Sequence, residues 1–336
     1  MKVLVTGGGG FLGSAICRLL KARGDDVVSL SRSHYGALAA LGIRQVQGDV
    51  AVLDSVLAAS KGCNAIIHSA ALAGIWGNFD EFSRTNIGGT MAVIGACELN
   101  GVGKLVHTST PSVVHAGHDI EGGNESLPYA TQFKAHYPAT KAVAEQRVLA
   151  ANSPRLATVA LRPHLIWGPG DRHLLPRILA RADAGQLRFI GPPKKVDTIY
   201  IDNAAQAHLD ALDRLAPASA CAGRAYFISQ DQPIALEEMV NRLLRACGRE
   251  AVSKHLSPTI ARLAARAFET LYKALGKQQE PPLTSFLVEQ LSTAHWFSIH
   301  AAKRDLGYQP KVSMGEGIGR LREWFKTDEG KHLLAD

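Results

Sequence analysis

Short β-branched runs alternate with longer stretches of helical periodicity through the first 165 residues of the chain. The runs KVLVT (2–6), DVVSLS (26–31), RQVQG (44–48), AIIH (65–68), KLVHT (104–108) and ATVALR (157–162) read as strands. Between the first two, FLGSAICRLLKARG places Phe11, Leu12, Ala15, Ile16, Leu19 and Leu20 at helical spacing, and Gly24 closes it. Strands alternating with helices predict a parallel sheet covered on both faces, an α/β doubly wound architecture of Rossmann type. Beyond about residue 165 the alternation fades. Pro and Gly cluster in WGPGD (167–171) and IGPPKK (190–195), YIDNAAQAHLDAL (200–212) returns to a strand and a helix, and the remainder is more helical. The expected organisation is a nucleotide-binding unit of residues 1–165, rejoined by 196–228. A smaller substrate lobe is expected from 166–195 and 229–336.

One helical segment stands apart. In PTIARLAARAFETLYKALGK (258–277), Ile260, Leu263, Ala264, Ala267, Phe268, Leu271, Tyr272 and Leu275 form one apolar stripe flanked by Arg262, Arg266, Lys273 and Lys277. Such a helix lies on a membrane surface, closes over an apolar substrate, or packs as core, and the pattern alone does not choose.

The length of 336 residues exceeds what a single core usually serves, consistent with two lobes. Apolar residues make up 46% and charged residues 20%, the balance of a globular enzyme. No apolar run reaches the ~18 residues that cross a bilayer, and Met1 leads directly into a strand, so a cytoplasmic protein, with at most peripheral membrane contact, is expected. Five cysteines without a C-x-x-C pair argue for reduced thiols and against a disulfide framework or a zinc site. His115-x-x-His118 is the one close histidine pair of the first half, and no metal is expected there. The net charge of +7 is dispersed with no basic run, which argues against nucleic acid.

The candidate chemistry begins at TGGGGFLG (6–13), where Gly7, Gly10 and Gly13 close a strand and open an amphipathic helix. That context permits a tight turn and close approach of a pyrophosphate to a helix N-terminus. At the end of the second strand an NAD-preferring site would carry an acid for the ribose hydroxyls. Here the residues are Leu30, Ser31, Arg32 and Ser33, and an arginine fork matches a 2′-phosphate, so NADP(H) is the expected cofactor. Downstream, HTSTPSV (107–113) packs Thr108, Ser109, Thr110 and Ser112 together. Twenty-seven residues after Thr110 comes YPATK, with Tyr137 and Lys141 one helical turn apart. A free phenol, with its pKa near ~10, is a poor acid–base group at neutral pH, and a nearby cation favours its ionised form.

Taken together, these motifs resemble the short-chain dehydrogenase/reductase superfamily in its extended branch, from residue 2 to about 325. By that resemblance GDV (48–50) is the adenine-contact element, with Asp49 near the adenine amino group and Val50 beside it. HSAA (68–71), with Ala70 and Ala71, follows the fourth strand, and NIGGT (86–90) lies in the next helix. LRPHLIWGPGD (161–171), with Pro163 and Ile166, forms the nicotinamide side, while Phe11 and Leu12 complete the cofactor turn. Where sugar-nucleotide enzymes of this branch carry a diphosphate-reading arginine, this chain has Val196. The pattern instead resembles the 3β-hydroxysteroid dehydrogenase family. Within it, AGIWG (73–77), FKAHYPATKAVAE and PPLTSFLVEQLSTAHW (281–296) resemble the subfamily that reduces 2-alkyl-3-oxoalkanoic acids with NADPH in bacterial long-chain olefin biosynthesis.

The resemblance implies that Tyr137 donates a proton, that Lys141 favours the phenolate and binds the nicotinamide ribose, and that Thr110 holds the substrate oxygen. Ser109, one residue earlier on a strand, faces the other way and is held in reserve. Arg172, His173, Lys194 and Lys195 are either carboxylate contacts or surface charges. The expected partners are a lipid-like ketone, a second copy of the chain and other enzymes of the olefin pathway. Two other readings accompany this one, a 3β-hydroxysteroid or sterol dehydrogenase and a non-catalytic NADP(H) sensor.

Overall fold

A computed structural model describes residues 1–334. Seven parallel strands form the central sheet: β1 (Lys2–Thr6), β2 (Asp26–Ser31), β3 (Arg44–Gln47), β4 (Ala65–His68), β5 (Lys104–Thr108), β6 (Ala157–Pro163) and β7 (Arg224–Ile228). Their order is β7-β6-β5-β4-β1-β2-β3. The strand order reverses about β1, which pairs with both β2 and β4. In an open parallel sheet the crevice at such a reversal is where a ligand binds. Thr6 lies level with His68, and His68 with His107, so the carboxyl ends of β1, β4 and β5 reach this crevice together.

Both faces of the sheet are buried, which is why the strands read as continuous apolar runs. Val3 and Val5 of β1 enter one core with Ile16 and Leu20 of α1 (Phe11–Ala22). Leu4, between them, enters a second core with Val93 and Cys97 of α2 (Gly89–Asn100) and Val148 of α3 (His136–Ala150). The first core also takes Ala204, Ala207 and Leu212 from α4 (Ile201–Arg214), the helix of the returning YIDNAAQAHLDAL segment.

Beside the central sheet, residues after about 165 build short pieces. Ile166–Trp167 pairs with Ile199–Tyr200, and Phe189–Ile190 with His255–Leu256. A small four-stranded sheet runs Ile234–Ala235, Lys195–Val196, His295–Phe297, Ile120–Gly123. Its last strand differs from the sequence expectation. Ile120–Gly123 was assigned by position to the nucleotide-binding unit, yet it leaves that body and pairs with His295–Phe297. Strand partners at such separation leave no local trace in a sequence.

The amphipathic segment forms α5 (Pro258–Ala274), and its orientation corrects the core alternative. Ala261 and Ala265 point inward against Ile190 and Val288, while Ile260, Leu263, Leu271 and Leu275 face out. Among the described residues no helix is long and apolar enough to cross a membrane.

Candidate active site

At the end of β1 the chain turns through Gly7 at φ 71°. A Cβ on Gly7 would sit 2.9 Å from the Ala70 Cα, and one on Gly13 only 2.1 Å from the Gly7 carbonyl oxygen. Glycine is therefore required at both positions, and Ala70 packs directly on the turn. The Gly10 amide donates to the Gly7 carbonyl at 2.9 Å. Helix α1 then opens at Phe11 and Leu12 with no side-chain cap and no acid in its first turn. Its N-terminal amides and dipole are thus available to a pyrophosphate, and the residues fit a dinucleotide.

At the adenosine end, Ser31 Oγ accepts from the Gly9 amide at 3.3 Å, in the place where an acid would face the ribose. Arg32 is exposed beside it. Asp49 is more engaged than the sequence indicated. Its Oδ1 accepts from the Ala51 amide at 2.9 Å and its Oδ2 pairs with Arg84 at 2.7 Å. The Ala51 amide above all, with Arg84 and Arg32, holds the Asp49 carboxyl below its usual range. Val50 packs against Gly89, and Ala71 is exposed just past β4.

The structure sorts the hydroxyl run residue by residue. The Thr108 hydroxyl meets His208 Nε2 at 2.9 Å, and its carbonyl accepts from Lys141 Nζ at 2.6 Å. Ser109 is buried and its Oγ has no partner. The Thr110 hydroxyl accepts from the Ser112 amide at 3.2 Å and donates to the Ser112 hydroxyl at 3.3 Å, capping the short turn Pro111–Val113. Of the two hydroxyls, Thr110 is the one that acts on the Tyr137 phenol, favouring its ionised form.

Tyr137 and Lys141 both lie on α3, one helical turn apart. Lys141 is buried, and Nζ turns back to β5, donating to the Thr108 carbonyl and meeting His107 Nε2 at 3.1 Å. Burial pushes the ammonium down to about 7, partly countered by Glu145. Tyr137 is half-buried, and its surroundings push the phenol up to about 12, with Thr110 acting against that rise. The four methylenes of Lys141 carry its charge across to the Thr108 carbonyl on β5.

Several residues that hold this arrangement carried no distinctive sequence signal. Asn86, inside a π-helical turn (Ser83–Gly88), accepts from the Leu72 amide at 2.8 Å and donates to Thr140 Oγ1 at 3.0 Å. It ties the segment after β4 to the catalytic helix, and its place in NIGGT was the only hint. Glu145, one turn beyond Lys141, forms a two-pronged buried pair with Arg162 of β6 at 2.6 and 3.0 Å and accepts from the Tyr129 hydroxyl. His68 bridges Thr6 and Thr90 at 2.8 and 3.0 Å, and burial pushes it down to about 3, so it is neutral.

On the substrate side, Pro163 ends β6 in the core, and His164 is buried against His295 at 2.6 Å. Leu165 adopts φ 44°, a left-handed conformation that costs an L-residue about 1–2 kcal/mol and here turns the chain toward half-buried Ile166. Val196 is fully buried, so no cation stands where a diphosphate would be read. Arg172, His173 and Lys195 are exposed, and Lys194 pairs with Asp119. His115 is buried against Thr293 and Gln290 while His118 is exposed.

The model of the family described as 3-beta hydroxysteroid dehydrogenase/isomerase matches residues 4–257. The chain belongs to this family. A 2-alkyl-3-oxoalkanoate reductase of Stenotrophomonas maltophilia is 53% identical, over 96% of this chain and 98% of that protein. A protein of the same description from Shewanella oneidensis is 47% identical, over 95% of this chain and 84% of its own length. Among solved structures, the UDP-glucuronic acid 4-epimerase of Bacillus cereus in complex with NAD superposes with a TM-score of 0.73. It shares 22% identity, with 97% of this chain and 99% of that chain covered, and so speaks for the fold alone. The family and the glycine turn together define a nicotinamide dinucleotide enzyme fold.

Proposed function

We propose that this protein reduces the ketone of a 2-alkyl-3-oxoalkanoic acid to the corresponding 2-alkyl-3-hydroxyalkanoic acid with NADPH, as a step of long-chain olefin formation. The observation that carries the substrate class is the 53% identity, over nearly the whole chain, to a protein of that description. The preference for NADPH is supported by Ser31 in place of an acid and by exposed Arg32. The turn at Gly7, Gly10 and Gly13 would hold the pyrophosphate, Arg32 the 2′-phosphate, and Lys141, Pro163 and Ile166 the nicotinamide end.

Bound NADPH supplies the hydride that reduces the substrate carbonyl carbon. Tyr137 gives its phenolic proton to the oxygen that becomes an alkoxide. A phenol pushed up to about 12 keeps its proton at neutral pH, which is the form a reduction needs. Thr110 donates to the same oxygen, stabilising charge where it develops. Lys141, pushed down to about 7, gains and loses a proton near neutral pH and so suits the recharging of Tyr137.

Because a β-keto acid decarboxylates readily, the practical assay is oxidation of the hydroxy acid with NADP⁺. The wild-type protein should turn over this acid in preference to a 3β-hydroxysterol, and more efficiently with NADP⁺ than with NAD⁺. Tyr137→Phe should reduce turnover by roughly 10²-fold or more while cofactor binding persists. Turnover of the sterol alone would refute the substrate class, and near-normal turnover by the phenylalanine variant would refute the role of Tyr137.

A further inference from the structure

We propose that the outer face of α5 docks this protein onto the surface of an anionic phospholipid bilayer. The helix is inverted relative to an ordinary surface helix. Its small residues Ala261 and Ala265 are fully buried, whereas Ile260 is 57% exposed, Leu263 63%, Leu271 51% and Leu275 58%. No core claims these side chains, and a water-facing stripe of this kind marks an interaction surface.

The charges on the helix identify the occupant. At 100° per residue the outward apolar side chains span an arc of about 120°, Arg262, Arg266 and Lys273 fill an adjoining arc of about 40°, and Lys277 follows just past the helix end. All four cations are exposed, and among the described residues none has a carboxylate within ion-pair distance. The one acid of the helix, Glu269, is turned away, accepting from the Ser285 amide at 2.7 Å and the Ser285 hydroxyl at 2.8 Å. Thr259 and Thr270 apart, the exposed outer face is therefore apolar and cationic, with no acid on it. Two copies of it would bring eight unanswered cations together, whereas a plane of phosphate headgroups answers them and accepts the apolar stripe beneath.

The placement of the helix adds to this. Trp76, in the segment after β4, donates from Nε1 to the Lys277 carbonyl at 3.3 Å, and Lys273 Nζ lies 5.9 Å from its ring centre. At the other end Pro258 packs against Gly191. The helix is thus fixed at both ends to the protein body. Its 17 residues lie flat rather than cross a bilayer.

The test uses the full chain and sedimentation with large unilamellar vesicles, of phosphatidylcholine alone or with about one third phosphatidylglycerol. The wild type should partition onto the anionic vesicles, less onto neutral ones, and less again in 1 M salt. The double variant Leu263→Ser/Leu271→Ser should lose at least about tenfold in partitioning. Arg262→Gln/Arg266→Gln should lose roughly fivefold per charge on anionic vesicles only. Thermal unfolding checks that both variants fold, and since all four positions are exposed they should match the wild type. Failure of the wild type to bind anionic vesicles at low salt would overturn the proposal, as would variants that bind equally well. A dimer that the leucine variant dissolves, without vesicle binding, would make a second copy the occupant instead. None of these readouts uses turnover, so they stand apart from the assay of the proposed reaction.

Discussion

Thr110 and Ser109 are adjacent hydroxyls on one stretch of chain, and the structure predicts opposite outcomes for their removal. Thr110→Val keeps the shape of the side chain and deletes its hydroxyl. In the proposed reaction that hydroxyl donates to the reacting oxygen, so its loss should lower kcat by about 10²–10³-fold, or roughly 3–4 kcal/mol of transition-state stabilisation. It also accepts from the Ser112 amide at 3.2 Å, and losing this cap should cost about 1 kcal/mol of stability. Ser109 Oγ is buried with no partner, and an unpaired buried hydroxyl costs on the order of 1–3 kcal/mol. Ser109→Ala should therefore leave kcat within about twofold and hold or raise stability by up to about 1 kcal/mol. Thr110→Ser, which keeps the donor, should retain most activity. Initial rates of hydroxy-acid oxidation and urea unfolding curves measure both axes. A hundredfold loss in Ser109→Ala beside an active Thr110→Val would reverse the assignment.

Acid should unfold the protein. His68, His208 and His295 are held by burial at about 3, 4 and 4, so below pH 6.5 the unfolded chain takes protons that the native state refuses, costing about 2 kcal/mol each by pH 5. His107 and His164, also held well below the usual range by burial, add to this loss, while Asp197, pushed by burial up to about 7, opposes it with roughly 2–3 kcal/mol between pH 7 and 5, so urea denaturation should show a net loss of more than about 3 kcal/mol, and equal stability at the two pH values would contradict the buried neutral histidines. Glu145→Gln should destabilise by about 3–5 kcal/mol because it strands the Arg162 cation, while the apolar pair Glu145→Leu/Arg162→Met should cost less. If the single variant unfolds at the wild-type urea concentration, the pair is not holding α3 to β6. Arg32→Ala should shrink the NADPH-over-NADH ratio of kcat/KM by roughly tenfold or more, and an unchanged ratio would remove Arg32 from the 2′-phosphate site.

Much of this was legible in the sequence because the signals were local. The strands at 2–6, 26–31, 65–68 and 104–108 were bounded to the residue, since a sheet covered on both faces writes itself as unbroken apolar runs. The choice of Thr110 came from the family resemblance, and the alternation of side chains along a strand served only to set Ser109 aside. The stripe on α5 was legible as a set of residues sharing one side. Which side turns inward was not, because the decision belongs to Ile190 and Val288, far away in the chain. The direction of the Lys141 ammonium was lost for the same reason. Its spacing from Tyr137 indicated a shared face, but the Thr108 carbonyl across the helix–strand interface claims the charge. Asn86 and Glu145 carried no spacing that separates a buried hub from a solvated helix residue.

The excursion of Ile120–Gly123 bears on how such enzymes can be recombined. A chimera that exchanges substrate lobes between relatives by cutting near residue 165 would leave this strand behind on the nucleotide-binding unit. The incoming His295–Phe297 would then meet a foreign edge in Ile120–Gly123, a strand that begins only ten residues of chain after Thr110. Any misfit there would be delivered straight to the hydroxyl proposed to hold the substrate oxygen. A graft meant to move specificity must therefore carry residues 111–131 with it. Otherwise it will produce a protein that binds its cofactor and has lost its chemistry.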